Sequence, residues 1–275
     1  MSVGQRRDFY ATLVTAKAGT RDEAIRSSFA SIDRARFLGP GPWKVFTSLG
    51  YIETPSDDPA FIYQDVAVAL APERTINNGE PSLHARCIAA MAPKAGESVL
   101  HVGAGTGYYT AILANLVGPR GSVAGYEIEA DLAERARENL ADVPQVSIRQ
   151  RSAIDPDLPP SDIIYANAGA THPPAEWLAA LKPAGRLLFP LSGSQGAGVM
   201  LLVTRGQDAG YAARIVMGAA FVPCIGATDD AEAKAVTAAL MKGGHGAVRS
   251  LVRNDEPDAS AWVSGSGWWL STAPP

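Results

Sequence analysis

Short apolar runs alternate with amphipathic segments between residues 98 and 205. The run "SVLHVG" ends in Gly103, and "YYTAILANLVG" then places apolar side chains at helical spacing before it stops at Gly118. The strand-like "SVAGYE", the helix-like "ADLAERARENL" and the short "QVSIR" repeat this order. Such alternation predicts a doubly wound, mostly parallel sheet with helices on both faces, which is the Rossmann-like class of α/β fold.

The alternation continues and then changes character. A strand "DIIYANAG", a helix around "PAEWLAALK" and a strand "RLLFPL" come first. The two following apolar runs, "GVMLLVTR" and "YAARIVMGAAFV", are separated only by "GQDAG". Because this connection is too short for a crossover, we expect these two strands to be antiparallel and to close the sheet.

The pattern divides the chain into three parts. Residues 1–80 begin helical and become loop-rich, and we expect this N-terminal cap to lie over the carboxyl ends of the strands, where ligands bind in such folds. Residues 81–228 form the predicted core. Residues 229–275 are a C-terminal extension with the helix "DAEAKAVTAALMKG" and one or two strands.

Composition excludes several functional classes. The 275 residues carry 24 basic and 28 acidic side chains, a net charge of -4, with no basic stripe that could follow a nucleic-acid backbone. The two cysteines, Cys87 and Cys224, have neither disulfide-framework nor zinc-ligand spacing, so no metal is expected. No apolar run approaches a membrane span, and we expect a cytoplasmic protein that does not contact membranes.

The stretch "LHVGAGTGYYT" holds the strongest chemical signal. Gly103, Gly105 and Gly107 lie between a strand and a helix, where they let the backbone turn sharply and leave free N–H groups for an anionic ligand group. A dinucleotide site prefers G-x-G-x-x-G, but its third glycine position holds Tyr108 here. The spacing instead suits a smaller ligand such as S-adenosylmethionine. A glycine-rich turn without a ligand is the alternative.

The end of the second predicted strand supports a nucleoside ligand. Glu127, in "GYEIE", lies where a carboxylate can accept hydrogen bonds from both ribose hydroxyls. The alternative, a surface Glu that opens the next helix, fits Glu129 better than Glu127.

These motifs together resemble one family. "RTIN…PSLHA", "ESVLHVGAGTGYYTAILANLVG", "VAGYEIEADLAERARENL", "SDIIYANAGATHPPAEWLAALKPAGRLLFPL" and "AAFVPCIG" follow the order and spacing of the protein-L-isoaspartate O-methyltransferases. The likeness covers roughly residues 20 to 226. It implies a class I methyltransferase that uses S-adenosylmethionine, with an isomerised aspartyl carboxylate of a protein or peptide as the methyl acceptor. Catalysis would then consist mainly of positioning and exclusion of water.

The resemblance places the acceptor beside "TINNGEP". In the family a Ser hydroxyl after Thr-Ile helps to hold the acceptor carboxylate, but Asn77 stands there in this chain and Pro81 follows two residues later than expected. Thr75, Asn77 and His84 are the candidate catalytic residues, since an Asn amide can donate to a carboxylate. The alternative is that Asn78-Gly79 is only a turn feeding a helix that begins at Pro81.

Two departures concern the cofactor. His101 replaces the acid that usually precedes the glycine loop, and it is either a core histidine or a cofactor contact. Ser152 replaces an Asp after the third strand and can still accept a weaker bond from an adenine amino group. The expected cofactor site comprises Gly103, Ala104, Gly105, Thr106, Gly107, Glu127, Ile128, Ser152 and Ala153.

Several further side chains fall near the predicted cleft. Tyr165, Asn167 and Ala168 end a central strand and should line it, although Tyr165 fits a core ring equally well. His172 follows the same strand and can face the cleft, but it is not spaced for metal binding with His84.

Three functional alternatives follow. The enlarged loop can reshape the pocket for a small metabolite or for an ordinary aspartate of a modified peptide. Loss of the Ser, the acid and the Asp favours a binding module that keeps S-adenosylmethionine but has no activity. A nucleotide-dependent dehydrogenase ranks last because of Tyr108 and the glycine spacing.

Overall fold

The computed structural model describes residues 2–208 and 210–275. Its α-helices within those ranges are α1 (Val3–Ala18), α2 (Glu23–Ser31), α3 (Arg34–Leu38), α4 (Pro81–Met91), α5 (Tyr108–Val117), α6 (Ala130–Asn139), α7 (Ala175–Ala180) and α8 (Asp230–Lys242). The strands are β1 (Lys44–Thr47), β2 (Gly50–Glu53), β3 (Ala69–Ala71), β4 (Ile76–Asn77), β5 (Ser98–Val102), β6 (Ser122–Glu127), β7 (Val146–Gln150), β8 (Ser161–Ala166), β9 (Leu181–Ser192), β10 (Ala197–Arg205), β11 (Tyr211–Ala220), β12 (Ser250–Arg253), β13 (Ala261–Gly265) and β14 (Trp268–Ser271). Over these same two ranges, every helix is too short or too polar to cross a membrane.

The chain forms two compact units. The first contains the residues up to Glu97 together with Ala104–Gln150, and the second contains Ser98–Gly103 and Arg151–Pro275. This grouping follows contacts within the fold rather than the order of the chain, so the glycine loop carries the chain from the second unit into the first. The division into 1–80, 81–228 and 229–275 stays a prediction.

Helices dominate the first unit. The sequence predicts that the chain begins helical, and the structure has three helices there, of which α1 packs against α2 and α4. Its start is fixed by a capping box in which Ser2 and Gln5 exchange side chain to backbone bonds. The buried stripe of α1 is Tyr10, Ala11, Val14, Thr15 and Ala18. Three of these side chains are small or polar, which explains why the apolar spacing is hard to see in the sequence.

A buried arginine organises the segment between the N-terminal helices and α4. Arg34, at the start of α3, is fully buried and lies over the rings of Tyr10 and Tyr108. Its guanidinium donates to the carbonyls of Ile62 at 2.5 Å, Gln64 at 2.8 Å and Val66 at 2.6 Å. The irregular chain that follows β2 is therefore held by side-chain hydrogen bonds in place of a strand ladder.

The first unit also contains a parallel strand pair with its helices. β6 and β7 pair from Val123 opposite Val146 to Glu127 opposite Gln150. Helices α5 and α6 pack against these strands and agree with the helical spacing of the sequence. Because parallel strands run in the same direction, Glu127 and Gln150 lie at the same edge.

The second unit is built on a mixed sheet with the strand order β13-β14-β12-β11-β10-β9-β8-β5. β5, β8 and β9 are parallel, and β9, β10 and β11 are antiparallel neighbours. The predicted antiparallel pair is thus confirmed, but it does not close the sheet. β11 pairs further with β12 through Tyr211 and Ala212, so the C-terminal extension adds three strands rather than one or two.

One carboxylate joins the extension to the core of the second unit. Glu232, in the first turn of α8, accepts from the Trp268 ring nitrogen at 2.9 Å and from the Ser266 N–H at 3.0 Å. Its other oxygen lies 2.7 Å from Nδ1 of His172, in the loop after β8. The extension is therefore an integral part of the second unit. Its adjacent tryptophans, Trp268 and Trp269, are both buried.

Replacing Arg34 tests how far the first unit depends on its buried guanidinium. In Arg34→Met the carbonyls of Ile62, Gln64 and Val66 lose their donors inside the protein. We expect the free energy of unfolding in urea to fall by about 3 kcal/mol or more. Arg21→Lys, at an exposed arginine, should change it by less than about 0.5 kcal/mol. Equal effects of the two substitutions would contradict this role.

Candidate active site

The glycine loop is a tight turn between β5 and α5. Gly103, Gly105 and Gly107 all have positive φ, at 72°, 56° and 97°. The Ala104 N–H donates to the Tyr126 carbonyl at 3.1 Å, and the Gly107 N–H donates back to Ala104 at 3.0 Å. A Cβ on Gly107 would lie 2.6 Å from Leu140. Glycine is therefore required at position 107 by packing as well as by conformation.

Thr106 anchors this loop. Its hydroxyl donates to the Phe37 carbonyl at 2.6 Å, and its own carbonyl accepts from the Asn139 side chain at 3.0 Å. The Thr106 side chain is buried, so it faces the protein interior. The N-terminal segment therefore reaches the glycine loop within the first unit.

Tyr108 shows why the loop departs from the dinucleotide pattern. Its ring is buried beside Phe37, with centroids 5.5 Å apart, and its hydroxyl lies 3.1 Å from the Tyr10 hydroxyl. The Tyr108 side chain is thus directed toward the N-terminal helices. The position of a third glycine has become a packing contact for α1 and α3.

Glu127 and the glycine loop meet directly. One carboxylate oxygen accepts from the Gly105 N–H at 2.7 Å and the other accepts from the Glu129 N–H at 2.9 Å. Burial raises the pKa of Glu127, and the backbone N–H groups of Glu129, Gly105 and Ile128 oppose that rise. The neighbouring Ile128 is 44% exposed and offers an apolar surface. A buried acceptor next to an apolar face suits a nucleoside.

A charged cluster that the sequence pattern does not reveal lies beside this pair. Arg74 contacts the carboxylates of Glu129 and Asp131, with bonds of 2.9 and 2.6 Å to Asp131. It ties the turn before Thr75 to the start of α6. Because these residues are 55 or more positions apart, no local signal in the sequence marks the contact.

The acceptor loop predicted from "TINNGEP" forms a short strand followed by a turn. Thr75 has φ 57° and its hydroxyl donates to the Arg74 carbonyl at 2.7 Å. Asn77 ends β4, pairs with Ala69, and accepts from the Gly79 N–H at 2.9 Å. Its Nδ2 donates to the Tyr51 hydroxyl at 3.2 Å. Since an amide nitrogen carries two hydrogens, Asn77 retains a second donor.

Asn78 and His84 support the acceptor loop through buried contacts. Asn78 is 7% exposed, and its side-chain oxygen accepts from the Val68 N–H at 2.9 Å and from Arg34 at 3.3 Å. His84 is buried and stacks on Tyr109 with ring centroids 3.6 Å apart. A Cβ on Gly79 would lie 2.0 Å from His84 Nε2, so only glycine fits between them. The turn interpretation therefore describes Asn78 and Gly79, while Asn77 keeps a second amide hydrogen.

Helix α4 begins at Pro81, as the sequence predicts. Its cap is a distant residue, because Asp65 accepts from the Ser82 N–H at 2.8 Å and pairs with Lys17 at 2.5 Å. This carboxylate near the helix N-terminus stabilises the start of α4. The sequence does not reveal it, since capping residues are normally sought next to the helix.

His101 is a core histidine within the second unit. It is fully buried, lies parallel to the Tyr165 ring, and its Nε2 is 2.8 Å from the Asn167 side-chain nitrogen. Burial lowers the pKa of His101 to about 3, so the ring is neutral at physiological pH. The neutral ring accepts from Asn167, which also borders the glycine loop, since a Cβ added to Gly103 would lie 3.5 Å from its carbonyl carbon.

The other predicted residues of the second unit have local partners. The Ser152 hydroxyl accepts from the Ile154 N–H at 3.1 Å, and the Ala153 carbonyl accepts from the Trp177 ring nitrogen at 2.9 Å. Ser152 therefore keeps its hydroxyl hydrogen as a donor. His172 is bound to Glu232, as described above, and Ala168 is half-buried after β8.

Solved methyltransferase structures superpose on this chain. A solved protein-L-isoaspartate O-methyltransferase superposes with a TM-score of 0.65 at 21% identity, covering 90% of this chain and 72% of that chain. A Plasmodium falciparum structure described as such an enzyme, in complex with S-adenosyl-L-homocysteine, gives a TM-score of 0.63 at 18% identity, covering 79% and 97%. The chain thus has the Rossmann-like fold of the class I methyltransferases, as predicted.

Sequence comparison identifies the family. The family model of the protein-L-isoaspartate(D-aspartate) O-methyltransferases matches residues 12–229, and the chain belongs to that family. A relative from Anaeromyxobacter dehalogenans is 31% identical over 210 residues, which cover 74% of this chain and 90% of the relative. One from Brucella anthropi is 29% identical, covering 76% and 88%. Both are called protein-L-isoaspartate O-methyltransferase.

The buried histidine predicts a pH dependence of stability. An unfolded chain protonates His101 near pH 6.5, whereas the folded protein does so only near pH 3. The unfolded state therefore binds more protons between these values, and stability falls as the pH falls. We expect His101→Gln to reduce this fall by up to about 1.4 kcal/mol per pH unit.

Urea unfolding of the wild type and of His101→Gln at several pH values between 7 and 4 provides the measurement. His245→Gln removes an exposed histidine and serves as the control. Parallel pH curves for the wild type and His101→Gln would contradict a buried neutral ring.

Proposed function

We propose that this chain transfers a methyl group from S-adenosylmethionine to a carboxylate, most specifically that of an L-isoaspartyl residue in a protein or peptide. Family membership supports the reaction. The observation that carries the proposal is the 2.7 Å bond between Glu127 and the Gly105 N–H, which supports a common role of this buried carboxylate and the glycine loop. A small metabolite and an aspartate of a modified peptide are the alternative acceptors.

The residues around Glu127 fit the cofactor. Gly105 is open except for Leu70, which would lie 3.4 Å from an added Cβ, so a ligand can approach the backbone closely. Glu127 would hold the ribose hydroxyls and Ile128 would cover the base. The other residues of the set expected from the sequence stay predictions. When bound, S-adenosylmethionine supplies a methyl group on a positively charged sulfur, which an ionised carboxylate accepts to give a methyl ester.

Asn77 is the proposed acceptor contact. Its oxygen is occupied by the Gly79 N–H and one amide hydrogen by Tyr51, which fixes the direction of the amide group. The remaining hydrogen can donate to the acceptor carboxylate in place of the family's hydroxyl. An amide held by two bonds loses little conformational entropy on binding.

Thr75 and His84 have supporting roles in this proposal. Thr75 adopts the left-handed conformation that sends the chain into β4, and its hydroxyl already donates to the backbone. The buried His84 ring carries the turn at Gly79 and so positions Asn77. We therefore assign His84 as a positioning residue rather than a group that touches the acceptor.

The chemistry requires no general base. A carboxylic acid with a pKa of about 4 is ionised at neutral pH, and the departing thioether is neutral. What the protein contributes is alignment of the two reactants and exclusion of water, which together supply much of the rate in such displacements. A catalytic triad is therefore not needed for this reaction, because no proton has to be removed from the acceptor.

Methyl transfer to matched peptides tests the function. Labelled S-adenosylmethionine is incubated with two peptides that differ only in containing isoaspartate or aspartate. Base-labile label on the isoaspartyl peptide alone is the expected result. Label on the aspartyl peptide alone would support the alternative acceptor, and cofactor binding without any transfer would support a binding module.

Substitution of Glu127 tests the cofactor site. Glu127→Gln keeps an acceptor for Gly105 but turns an amide toward the Glu129 N–H. We expect the affinity for S-adenosylmethionine, measured by calorimetry, to fall about tenfold or more, because charged acceptors form the stronger bonds. Glu134→Gln, at a 63% exposed side chain of α6, is the matched control. Unchanged affinity would remove Glu127 from the site.

Two substitutions of Asn77, one neutral and one negatively charged, test its proposed contact with the acceptor. Asn77→Ala should lower kcat for the isoaspartyl peptide by about tenfold while cofactor affinity stays unchanged. Asn77→Asp keeps the acceptor for the Gly79 N–H but faces the acceptor carboxylate with a negative charge, so its kcat should be lower than that of Asn77→Ala. An aspartate variant as active as the wild type would rule out a direct contact.

A further inference from the structure

An exposed hairpin stands beside the acceptor loop in the first unit. β1 and β2 pair from Lys44 opposite Glu53 to Thr47 opposite Gly50, with Ser48 and Leu49 in the turn. Phe46 is 53% exposed, Ile52 is 56% exposed, and Leu49 at the tip is 97% exposed. Leaving such side chains in water forgoes the stabilisation that burial of apolar surface provides. Ile52 pairs with Val45 and therefore lies on the opposite face of the hairpin from Phe46. The exposed apolar side chains of Phe46 and Leu49 indicate a surface that contacts a partner.

The hairpin is continuous with the backbone that carries Asn77. The Phe46 N–H donates to the Ala67 carbonyl at 2.8 Å, and Val45 forms a bridge with Val68. The same stretch pairs with β4 through Ala69 and Asn77. A short hairpin is marginally stable alone, and this attachment gives it a fixed position relative to the acceptor loop.

One face of the hairpin points to the loop. Phe46 and Tyr51 are directly opposite each other in the pairing, so their side chains share a face, and their rings lie 5.4 Å apart. The Tyr51 hydroxyl accepts from Asn77 Nδ2 at 3.2 Å. The polar end of this aromatic pair thus meets the proposed acceptor contact, and Leu49 lies in the turn that follows the strand of Phe46.

We propose that Phe46, Tyr51 and Leu49 bind an apolar side chain that flanks the methylated residue of a polypeptide acceptor. This inference rests on the proposed function, because it takes the acceptor carboxylate to lie at Asn77. An isoaspartyl residue presents only a short carboxylate of its own, so further affinity must come from its neighbours in the chain. An extended chain leaving Asn77 passes Tyr51 first and then reaches the exposed apolar side chains of the hairpin.

The proposal makes the enzyme selective for flanking sequence. Two isoaspartyl peptides are compared that differ only in the residues beside the isoaspartate, Leu-Phe in one and Gly-Gly in the other. For the wild type we expect the KM of the apolar peptide to be about tenfold lower, the effect of burying one large side chain. In the double variant Phe46→Ser, Leu49→Ser the ratio of the two KM values should approach one.

A matched control separates this effect from a general loss of surface apolarity. Met241→Ser removes an 84% exposed side chain on α8 and should leave the tenfold ratio intact. Affinity for S-adenosylmethionine reports whether the hairpin variant retains its folded glycine loop, and the single variant Leu49→Ser, at the solvent-exposed tip, provides a second measurement with little risk to folding.

The outcomes distinguish the two levels of proposal. Failure of the wild type to methylate either peptide would overturn the proposed function. Methylation of both with the same KM, unchanged in the hairpin variant, would overturn this inference alone. If the hairpin variant converts a dimer into a monomer, measured by light scattering, without altering the KM ratio, the surface joins two copies of the chain and the inference is likewise overturned.

Discussion

The first unit depends on a buried cation that is held by neutral oxygen atoms. Arg34 is fully buried near the rings of Tyr10 and Tyr108. Its charge is stabilised by four oxygen acceptors, which are the carbonyls of Ile62, Gln64 and Val66 and the side-chain oxygen of Asn78. A buried charge is tolerated only when hydrogen bonds replace its hydration. The segment from residue 62 to residue 78, which includes β3 and β4, must therefore keep its shape, and it is bonded to the hairpin and carries the acceptor loop.

The regular parts of the fold follow from local pattern. Apolar runs ending in glycine predict the strands, helical spacing predicts α5 and α6, and the position of Pro81 predicts the start of α4. The three strands of the extension and helix α1 are harder to predict. Short strands carry little periodicity, and the stripe of α1 includes alanines and a threonine in the helix that packs against α2 and α4.

The candidate site divides in the same way. Glu127 and the three glycines are recognisable because their chemistry and spacing are local. Thr106 is not distinguishable from a ligand-facing residue in the sequence, yet its hydroxyl is used by Phe37, and Asp65 caps a helix 17 positions away. His84 looks reactive in a motif, but packing against Gly79 makes it a support. Contacts between residues that are far apart in the sequence determine which polar side chains remain available to bind a ligand.

The Asn78-Gly79 pair makes the acceptor loop susceptible to a spontaneous chemical change. An asparagine followed by glycine can cyclise when the glycine nitrogen attacks the asparagine side-chain carbonyl and ammonia leaves, and water then opens the succinimide ring to isoaspartate or aspartate. In the folded chain the Gly79 nitrogen donates to Asn77, and the Asn78 side chain is fixed by Val68 and Arg34. Cyclisation at Asn78 therefore requires local opening of the loop. Folding thus protects this chain, whose family is named for isoaspartate, from forming isoaspartate at its own Asn78.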